Sequence, residues 1–545
     1  MAAARAGKEA AGAEKRKSGE RKKRMSPERQ DDVAIPTDNL VLVTAGTMLA
    51  TIMQAIDTTI ANVALPHMQG SFSATLDEIA WVLTSYIVAA AIMTPPTGWL
   101  AARFGRKRLF LASVGGFTFA SVLCGLAGSL GQMVAFRLLQ GAFGAALVPL
   151  SQAVLLDSYP RSKHGQAMAI WGLGVMVGPI LGPTLGGWLT ENYSWRWVFY
   201  INVPFGILAF LTISTFVTET KRNRGLPFDM IGFATISLAL GAFQMFLDRG
   251  ELKDWFGSTE ILVEAIAAAA FLYVFLVHTF TTDNPFIRPS LFRDRNFSVS
   301  LILMTLVGVL LFGSLALLPP MLQSVLDYPV VTTGFVIAPR GIGTAVAMVL
   351  VGRAMGRIDV RLLLIFGLAT LATSMFWIAS FSLDVAMRDI VMSGIVQGIG
   401  FGFIWVPVST IAFSTLPIQR RTEAAGIFSL MRNIGASAGI SIVTALIVRN
   451  TQINHEEIGA AITAYNPLLR LPAIRQFWDV HTAAGAMALN EEITRQATMI
   501  AYLDDFKLMA VLSVMALPLV LLVTSTKPAA ARAAPGEPAH SAAMD

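Results

Sequence analysis

The sequence predicts an all-α polytopic membrane protein whose fourteen transmembrane helices form two six-helix halves with two extra central helices between them. Three observations lead to this prediction. Hydrophobic residues make up 54% of the 545-residue chain and collect into long apolar runs, while only 14% of residues are charged, against about 25% in soluble domains. The loops between the runs are alternately basic and nearly uncharged, and one sequence pattern occurs in both halves.

The apolar runs are each long enough to cross a hydrocarbon core of about 30 Å at about 1.5 Å per helical residue. The predicted spans are residues 40–65, 79–100, 109–129, 132–156, 165–189, 196–218, 229–248, 260–280, 298–322, 332–354, 361–381, 386–414, 424–448 and 502–525.

The loop charges predict the orientation of these spans. The basic loops are residues 101–108, 160–165, 220–225, 287–296, 352–361 and 419–421, whereas the intervening loops, such as 67–78 and 129–132, contain almost no Lys or Arg. The positive-inside rule places the basic loops and both chain termini in the cytoplasm. We therefore expect a multi-pass protein of the cell (inner) membrane.

The segments outside the spans are polar. Residues 1–39 have no apolar core, so they predict a disordered basic cytoplasmic arm that can contact anionic lipid, and not a secretory signal. Residues 527–545 predict a disordered cytoplasmic tail. The long extracytoplasmic loop 449–501 is either a passive connector or a docking surface for a partner. The single cysteine, Cys124, excludes a disulfide framework and a Cys-based metal site.

An internal repeat divides the chain. QGAFGAALVPLS at 140–151 is matched by QGIGFGFIWVPVS at 397–409, and the pair Gly98 and Arg103 is echoed by Gly352 and Arg357 at nearly the same offset. The predicted domains are an N-terminal half at 40–218, two inserted helices at 219–281 and a C-terminal half at 282–526. Parallel repeats of this kind bind substrate near the membrane midplane, between the halves.

Ionisable residues inside a span are costly and usually functional. Asp57 lies about 13 Å below the outer end of the first span, and Arg137 lies about 8 Å below the outer end of the fourth. An ion pair between them is either a static support or a proton-coupling switch in which movement of Arg137 changes the proton affinity of Asp57. The ninth span, the counterpart of the first, has no acid, which confines a proton site of this type to the N-terminal half.

Four other charged residues lie within the predicted spans or at their ends. Arg340 and Arg432 lie within spans and can bind anionic substrate groups, pair with a carboxylate or reach an interface. Glu264 lies near a span end, where we expect interfacial exposure. Asp157 ends the fourth span and can make a structural or a gating contact.

The fifth span, GLGVMVGPILGPTLGGWL at 172–189, is rich in glycine and proline. Its glycines recur every fourth residue and form a small-residue ladder on one helix face, which favours close contact with a neighbouring helix. The ladder and its flanking residues are Gly174, Gly178, Pro179, Gly182, Pro183, Gly186 and Gly187.

The loop after the second span, GWLAARFGRKR at 98–108, combines glycines that permit a tight turn with a basic cluster. It is a conformational latch or a simple topology anchor. Its candidate gating residues are Gly98, Arg103, Gly105, Arg106, Lys107 and Arg108.

Together these motifs resemble the EmrB/QacA-type multidrug:proton antiporters, the fourteen-helix branch of the major facilitator superfamily, over about residues 40–526. The matching elements are DTTIANVALP at 57–66, the 98–108 loop, the RxxQG motif from Arg137, the GxxxGPxxGPxxGG antiporter motif of the fifth span, and WRWVFYINVP at 195–204. One departure is Ala102, where the superfamily loop usually carries Asp, which puts the standard gating account of that loop in question.

The resemblance implies proton-coupled export of hydrophobic or amphipathic compounds by alternating access, with no cofactor beyond the proton gradient. It also implies a periplasmic membrane-fusion adaptor and an outer-membrane channel as partners, besides membrane lipids, and no nucleic acid. Candidate substrate or charge contacts are Thr59, Asn62, Gln140, Arg340 and Arg432.

Other functions stay open at this point. An exporter of a metabolite such as a siderophore or amino acid keeps the same fold, as does a non-transporting sensor. An ATP-driven pump lacks support because the chain has no GxxxxGK[ST] phosphate loop. No nucleophile motif or metal-ligand cluster indicates an enzyme.

Overall fold

The computed structural model describes residues 39–524, apart from 161–162, 221, 223–224, 226, 251–252, 418–419, 463–468, 470, 472–473, 475–476 and 480. The predicted terminal arm and tail therefore lie outside the described residues, except for residue 39. The described part is helical, and its only β-type pairing is an isolated bridge between Met355 and Ile358.

Fourteen helical segments follow the order of the predicted spans. They are α1 (Leu40–Phe72), α2 (Leu76–Met93 and Thr97–Phe104), α3 (Arg106–Leu126), α4 (Leu130–Gly144 and Leu147–Ser158), α5 (His164–Asn192), α6 (Trp197–Tyr200 and Asn202–Phe216), α7 (Met230–Arg249), α8 (Thr259–Thr281), α9 (Arg295–Pro320, continuing as the π-helical turn Met321–Val325), α10 (Val330–Ala354), α11 (Val360–Ile378), α12 (Met387–Ser414), α13 (Arg421–Ala461) and α14 (Ala483–Met515 and Leu517–Leu521).

Length and apolarity support most of the predicted crossings. Among the described residues, eleven helices are long and apolar enough to cross a membrane, and the bent α2 makes twelve. The two segments outside this set are α5, which is rich in Gly and Pro, and α14, which contains Asp504, Asp505 and Lys507. The count of fourteen crossings remains a prediction for these two helices.

Helix α2 bends by 57° between its two parts. The break lies within the sequence TPPT at residues 94–97. Pro95 and Pro96 lack the amide hydrogen that continues a helix. The second part of α2 leads directly into the basic 98–108 loop, so the bend sets the direction in which that loop meets the rest of the bundle.

The sequence repeat corresponds to a repeated packing contact. Gly141 of α4 lies against the backbone carbonyl of Tyr86 in α2, and Gly398 of α12 lies in the same way against the carbonyl of Arg340 in α10. A Cβ at either glycine would overlap the neighbouring backbone. The α2–α4 and α10–α12 pairs are therefore equivalent close contacts, one in each half.

The inserted pair lies at the side of the bundle. Helix α7 packs against α8, α2 and α13. Helix α8 is the least buried of the eleven described helices that are long and apolar enough to cross a membrane, because only 17% of its apolar window is buried.

Much of the predicted connection 449–501 is helical. Helix α13 continues to Ala461 and is 41 residues long, about 62 Å, while α14 begins at Ala483. The extensions touch, since Asn454 Nδ2 donates to Ala497 O at 3.4 Å and His455 Nε2 lies 3.1 Å from Asn490 Oδ1. We call residues 449–461 and 483–501 the stalk. Its helices are too polar to resemble membrane spans, so their length and mutual contact could not be predicted from the apolar runs.

Candidate functional site

Asp57 and Arg137 form a buried ion pair within the N-terminal half. Arg137 Nη1 donates to Asp57 Oδ2 at 2.9 Å, and the two side chains are 1% and 0% exposed. Asp57 lies in the middle of α1 and Arg137 in the middle of the first part of α4. Removing one partner of such a pair leaves an uncompensated buried charge, at a cost of about 3–5 kcal/mol.

Neutral side chains complete the environment of the carboxylate. Asp57 Oδ1 accepts hydrogen bonds from Gln140 Nε2 and Asn202 Nδ2, both at 2.8 Å. Gln140 Oε1 accepts from Arg137 Nη1 at 2.8 Å, and Asn202 Nδ2 also lies 2.9 Å from Ser121 Oγ. Helices α1, α3, α4 and α6 therefore meet at one polar centre, in which the ionised form of Asp57 is fully matched.

Arg137 has further contacts with α2. Its Nε donates to Val82 O at 3.0 Å, and its guanidinium lies 4.2 Å from the centre of the Tyr86 ring. These contacts attach the guanidinium to α2 in addition to Asp57. If Asp57 binds a proton, the ionic attraction is lost, and Arg137 keeps its contacts with α2, with Gln140 and with the Phe199 ring of α6. The geometry can thus convert protonation into a change of helix contacts.

Of the three neutral residues predicted to contact substrate, one lies in the Asp57 centre and two lie outside it. Gln140 belongs to the Asp57 centre, whereas Thr59 donates its hydroxyl to Gly178 O of α5 at 3.0 Å, and Asn62 is exposed. Asn202 was not singled out from the sequence, although it lies in the WRWVFYINVP motif. A neutral amide among apolar residues gives no charge signal, so its role became visible only in three dimensions.

The glycine ladder of α5 faces α1. A Cβ added at Gly174, Gly178, Gly182 or Gly186 would come too close to Met48, Ala55, Thr59 or Ile60, respectively, while one at Gly187 would make an ordinary contact with Val63 at 3.9 Å. Helix α5 continues through Pro179 and Pro183, whose side chains lie outside the described part of the structure. The ladder contacts Ala55 and Thr59, which flank Asp57, so it fixes the position of the carboxylate.

The 98–108 loop joins the two halves at the end of the bundle that carries the basic loops, which we call the basic end. Arg106 pairs with Asp157 of α4 and donates through Nη2 to Thr422 Oγ1 of α13 at 3.0 Å. Arg421, at the start of α13, donates to Asp157 Oδ1 at 3.1 Å. We call Arg106, Asp157, Arg421 and Thr422 the latch. Asp157 is thus a contact between the halves.

Glu219 supplies a second acid for this loop and was missed in the sequence. Its carboxylate accepts from Lys107 N at 3.1 Å and lies 4.0 Å from Arg108 Nε. Gly105, with φ +96°, has no room for a Cβ beside this carboxylate. Asp157 and Glu219 therefore both engage the loop despite Ala102. Two other loop residues make separate contacts: Arg103 lies over Trp99, 5.6 Å from the ring centre, and Gly98 packs on Glu423.

The C-terminal half contains two buried arginines. Arg340 Nη2 donates to Ser314 Oγ of α9 at 2.9 Å, and its Nη1 has no hydrogen-bond partner among the described residues. Arg432 Nη2 donates to Ser429 Oγ at 3.2 Å and to Asn433 Oδ1 at 3.1 Å. Both side chains are buried, so neither reaches an interface.

Aromatic residues meet between the halves. Trp171 of α5 and Trp405 of α12 stack with ring centres 6.0 Å apart, and Met348 of α10 lies beside Gly172. The guanidinium of Arg432 lies 5.9 Å from the Trp405 ring. This apolar layer lies between the Asp57 centre and the basic end.

The expectation for Glu264 is wrong, and Asp505 is a buried acid that was not singled out from the sequence. Glu264 is buried, with Oε1 3.7 Å from Arg249 Nη1, because α7 covers the first turns of α8. Asp505 of α14 is only 1% exposed, so a buried carboxylate lies in the C-terminal half as well. The predicted fourteenth span began at residue 502, which placed Asp505 near its end. The helix begins at Ala483, which places Asp505 in its interior.

Together, the fold and the buried charges define a polytopic, all-helical membrane protein with an ionisable centre in one of two similar halves. The model of the Major Facilitator Superfamily matches residues 47–440, and the chain belongs to this family.

Two relatives that are similar over most of the chain indicate its place within the superfamily. The chain is 36% identical over 476 residues to the "Multidrug export protein EmrB" of Haemophilus influenzae, covering 86% of this chain and 93% of the relative. It is also 36% identical over 485 residues to the "Fatty acid resistance protein FarB" of Neisseria gonorrhoeae, covering 89% and 96%. It is therefore an EmrB-type member of the superfamily.

A solved structure shares the fold at low identity. The human organic anion transporter MFSD10 matches with a TM-score of 0.53 and 13% identity, over 90% of this chain and 100% of that one. This likeness supports the helix arrangement alone.

Proposed function

We propose that the protein exports hydrophobic or amphipathic compounds across the membrane in exchange for protons. The observation that carries this proposal is the buried Asp57–Arg137 pair, in a chain whose relatives are named for multidrug export and fatty acid resistance. A charge pair inside the membrane-spanning part of a transporter marks a proton or substrate path. The cycle uses no cofactor and no catalytic residue.

Protonation of Asp57 is the coupling step in this account. A proton from the outer side binds the carboxylate and removes its attraction for Arg137. The altered contacts of α1 and α4 favour the state open to the cytoplasm, where drug binds and the proton leaves. Each ligand drives the change only as far as it binds one state better than the other.

We place the substrate between the halves, near Trp171, Trp405 and Met348. These side chains are large and apolar, and methionine adapts to ligands of different shape. Arg340 and Arg432 offer donors for polar or anionic substrate groups. Thr59 and Asn62 remain candidates for states in which the halves are apart.

The orientation in the cell is also a proposal. The basic loops of this chain favour a cytoplasmic basic end and cytoplasmic termini in the inner membrane. The stalk then projects from the outer face, where we propose that it docks a periplasmic adaptor that leads to an outer-membrane channel.

The latch provides a testable prediction. Arg421→Gln removes the charge that joins α13 to Asp157, so we expect the halves to separate more often at the basic end. In a Cys124→Ala background, Met348→Cys reports this opening, because Met348 is buried in the closed state. We expect labelling by a polar maleimide to rise several-fold in Arg421→Gln and to stay unchanged in the neighbouring, partly exposed Arg420→Gln. Equal labelling of the Met348→Cys protein and its Arg421→Gln and Arg420→Gln variants would show that the latch does not control this opening.

The proposed function is tested in inverted membrane vesicles with an imposed proton gradient. The panel contains ethidium and other lipophilic dyes, a long-chain fatty acid, a siderophore and amino acids. Gradient-dependent uptake of dyes or fatty acid supports the proposal. Uptake of the siderophore or an amino acid alone would favour the metabolite exporter. Binding without transport of any compound would favour a sensor.

A further inference from the structure

Helix α7 of the inserted pair contacts both halves. On one side, Gly241 faces Ile92 and Val88 of α2 at 3.5 and 3.9 Å from an added Cβ. On the other side, Ser441 of α13 donates to Leu247 O at 2.6 Å. The last two turns of α7 therefore lie at a junction of α2, α7 and α13, where the N-terminal and C-terminal halves meet the insertion.

Asp248 lies in this junction. Its Oδ1 accepts from Gln244 Nε2 at 3.0 Å, and Gln244 Nε2 also hydrogen bonds to Ser437 Oγ of α13. The hydroxyls of Thr84 in α2 and Ser437 both face the carboxylate. Its Oδ2 is buried and accepts no hydrogen bond from the described residues.

Two charged groups near the junction, both in the described part of the chain, have other partners. Arg249 pairs with Glu260 and Glu264 of α8 and lies 5.0 Å from the centre of the Trp81 ring. The nearest charged residue along α13, Arg432, hydrogen bonds to Ser429 and Asn433.

On the first part of α2, the ionisable residues are Asp77, Glu78 and Tyr86, and Arg103 in the second part lies over Trp99. Glu78 accepts from the Thr75 amide, and Tyr86 lies beneath Arg137. The side chain of Asp77 lies outside the described part. The described partners of Asp248 are therefore all neutral, whereas Asp57 is paired with the cationic Arg137.

We propose that Asp248 is a second proton-binding carboxylate of this protein. The Asp248 carboxylate has no cationic partner among the described residues and its Oδ2 is buried, so its charge is costly. One proton at Oδ2 removes this charge and makes the oxygen a donor for the neighbouring hydroxyl of Thr84 or Ser437. No covalent bond breaks, and the proton comes from water at the outer side. Because the neighbours belong to α2, α7 and α13, relative movement of the halves changes the proton affinity of Asp248, and its protonation in turn biases that movement.

A role for Asp248 in transport rests on the proposed function, whereas the protonation of Asp248 can be tested independently of that function. The test is infrared difference spectroscopy of the full-length protein in liposomes during a pH titration, without substrate. We expect a carboxylic acid C=O band that titrates in the wild type and is lost in Asp248→Asn. It should persist in Asp57→Asn, in Asp505→Asn and in the exposed control Asp254→Asn.

Two further variants keep the carboxylate and guard against misfolding of Asp248→Asn. Ser437→Ala removes a neighbouring hydroxyl and is expected to shift the frequency of the same band. Arg421→Gln opens the latch and is expected to shift its titration midpoint. Identical titrating bands in the wild type and Asp248→Asn would overturn the site, and an unchanged midpoint in Arg421→Gln would overturn its coupling to the halves. Neither result depends on whether the vesicle panel finds a substrate.

Discussion

Asp57→Asn is expected to abolish proton-coupled export. Asparagine has nearly the same size as aspartate and retains an acceptor for Gln140 or Asn202, but it cannot bind and release a proton. The predicted loss is complete for gradient-driven dye uptake in inverted vesicles, at equal protein content of the membrane. Asp254→Asn, at an exposed acid in the loop between α7 and α8, is the matched control and should retain wild-type uptake. Wild-type uptake in Asp57→Asn would exclude Asp57 from coupling.

A loss of activity can also arise from instability, because Asp57→Asn leaves Arg137 buried without its counter-ion. The double variant Asp57→Asn/Arg137→Gln removes both charges and separates these effects. Replacing both members of a buried pair costs far less than breaking it. We expect the double variant to recover thermal stability in detergent while its export stays uncoupled. Recovery of gradient-driven export would show that the pair is only structural.

Enlarging the ladder glycines is expected to give the second largest effect. Leu at Gly178 and Gly182 must push α5 away from α1 and should eliminate transport. Graded Ala variants test the packing itself, since overpacking typically costs about 1–3 kcal/mol. Gly178→Ala should be the most damaging, because its methyl group meets the backbone of Ala55, which cannot rotate away.

The controls for this series lie in the same helix. Gly182→Ala should be milder, since its methyl group meets the Thr59 hydroxyl, which can change rotamer, and Gly187→Ala should be close to neutral. Thermal unfolding in detergent and dye uptake are the two measurements. An equal effect at Gly178 and Gly187 would contradict the close contact between α1 and α5.

Local patterns allowed much of the fold to be predicted from sequence. Apolar runs gave the order of the helices, and the glycine ladder indicated a close helix contact because its spacing follows the helical repeat. Asp57 and Arg137 were conspicuous because charges are rare within spans. The repeated QG segments lie in matching close contacts, α2 with α4 and α10 with α12.

The remaining features depend on tertiary contacts that leave no local pattern. Asn202 is neutral, and Glu219 becomes significant only when its segment folds back onto Lys107 and Arg108. The stalk and the burial of Asp505 have one common cause. Polar and charged helical extensions do not resemble apolar spans, so α13 and α14 extend beyond the predicted spans 424–448 and 502–525.

The central claim is that the protein couples the movement of its substrate to the movement of protons. The most direct measurement uses a substrate gradient as the driving force in place of a proton gradient. In proteoliposomes without a proton gradient, a concentration gradient of a dye that the vesicle panel identifies is imposed, and the lumenal pH is followed. The account predicts that dye movement alone drives protons in the opposite direction, and that this proton flux disappears in Asp57→Asn. Dye movement without proton movement in the wild type would contradict it.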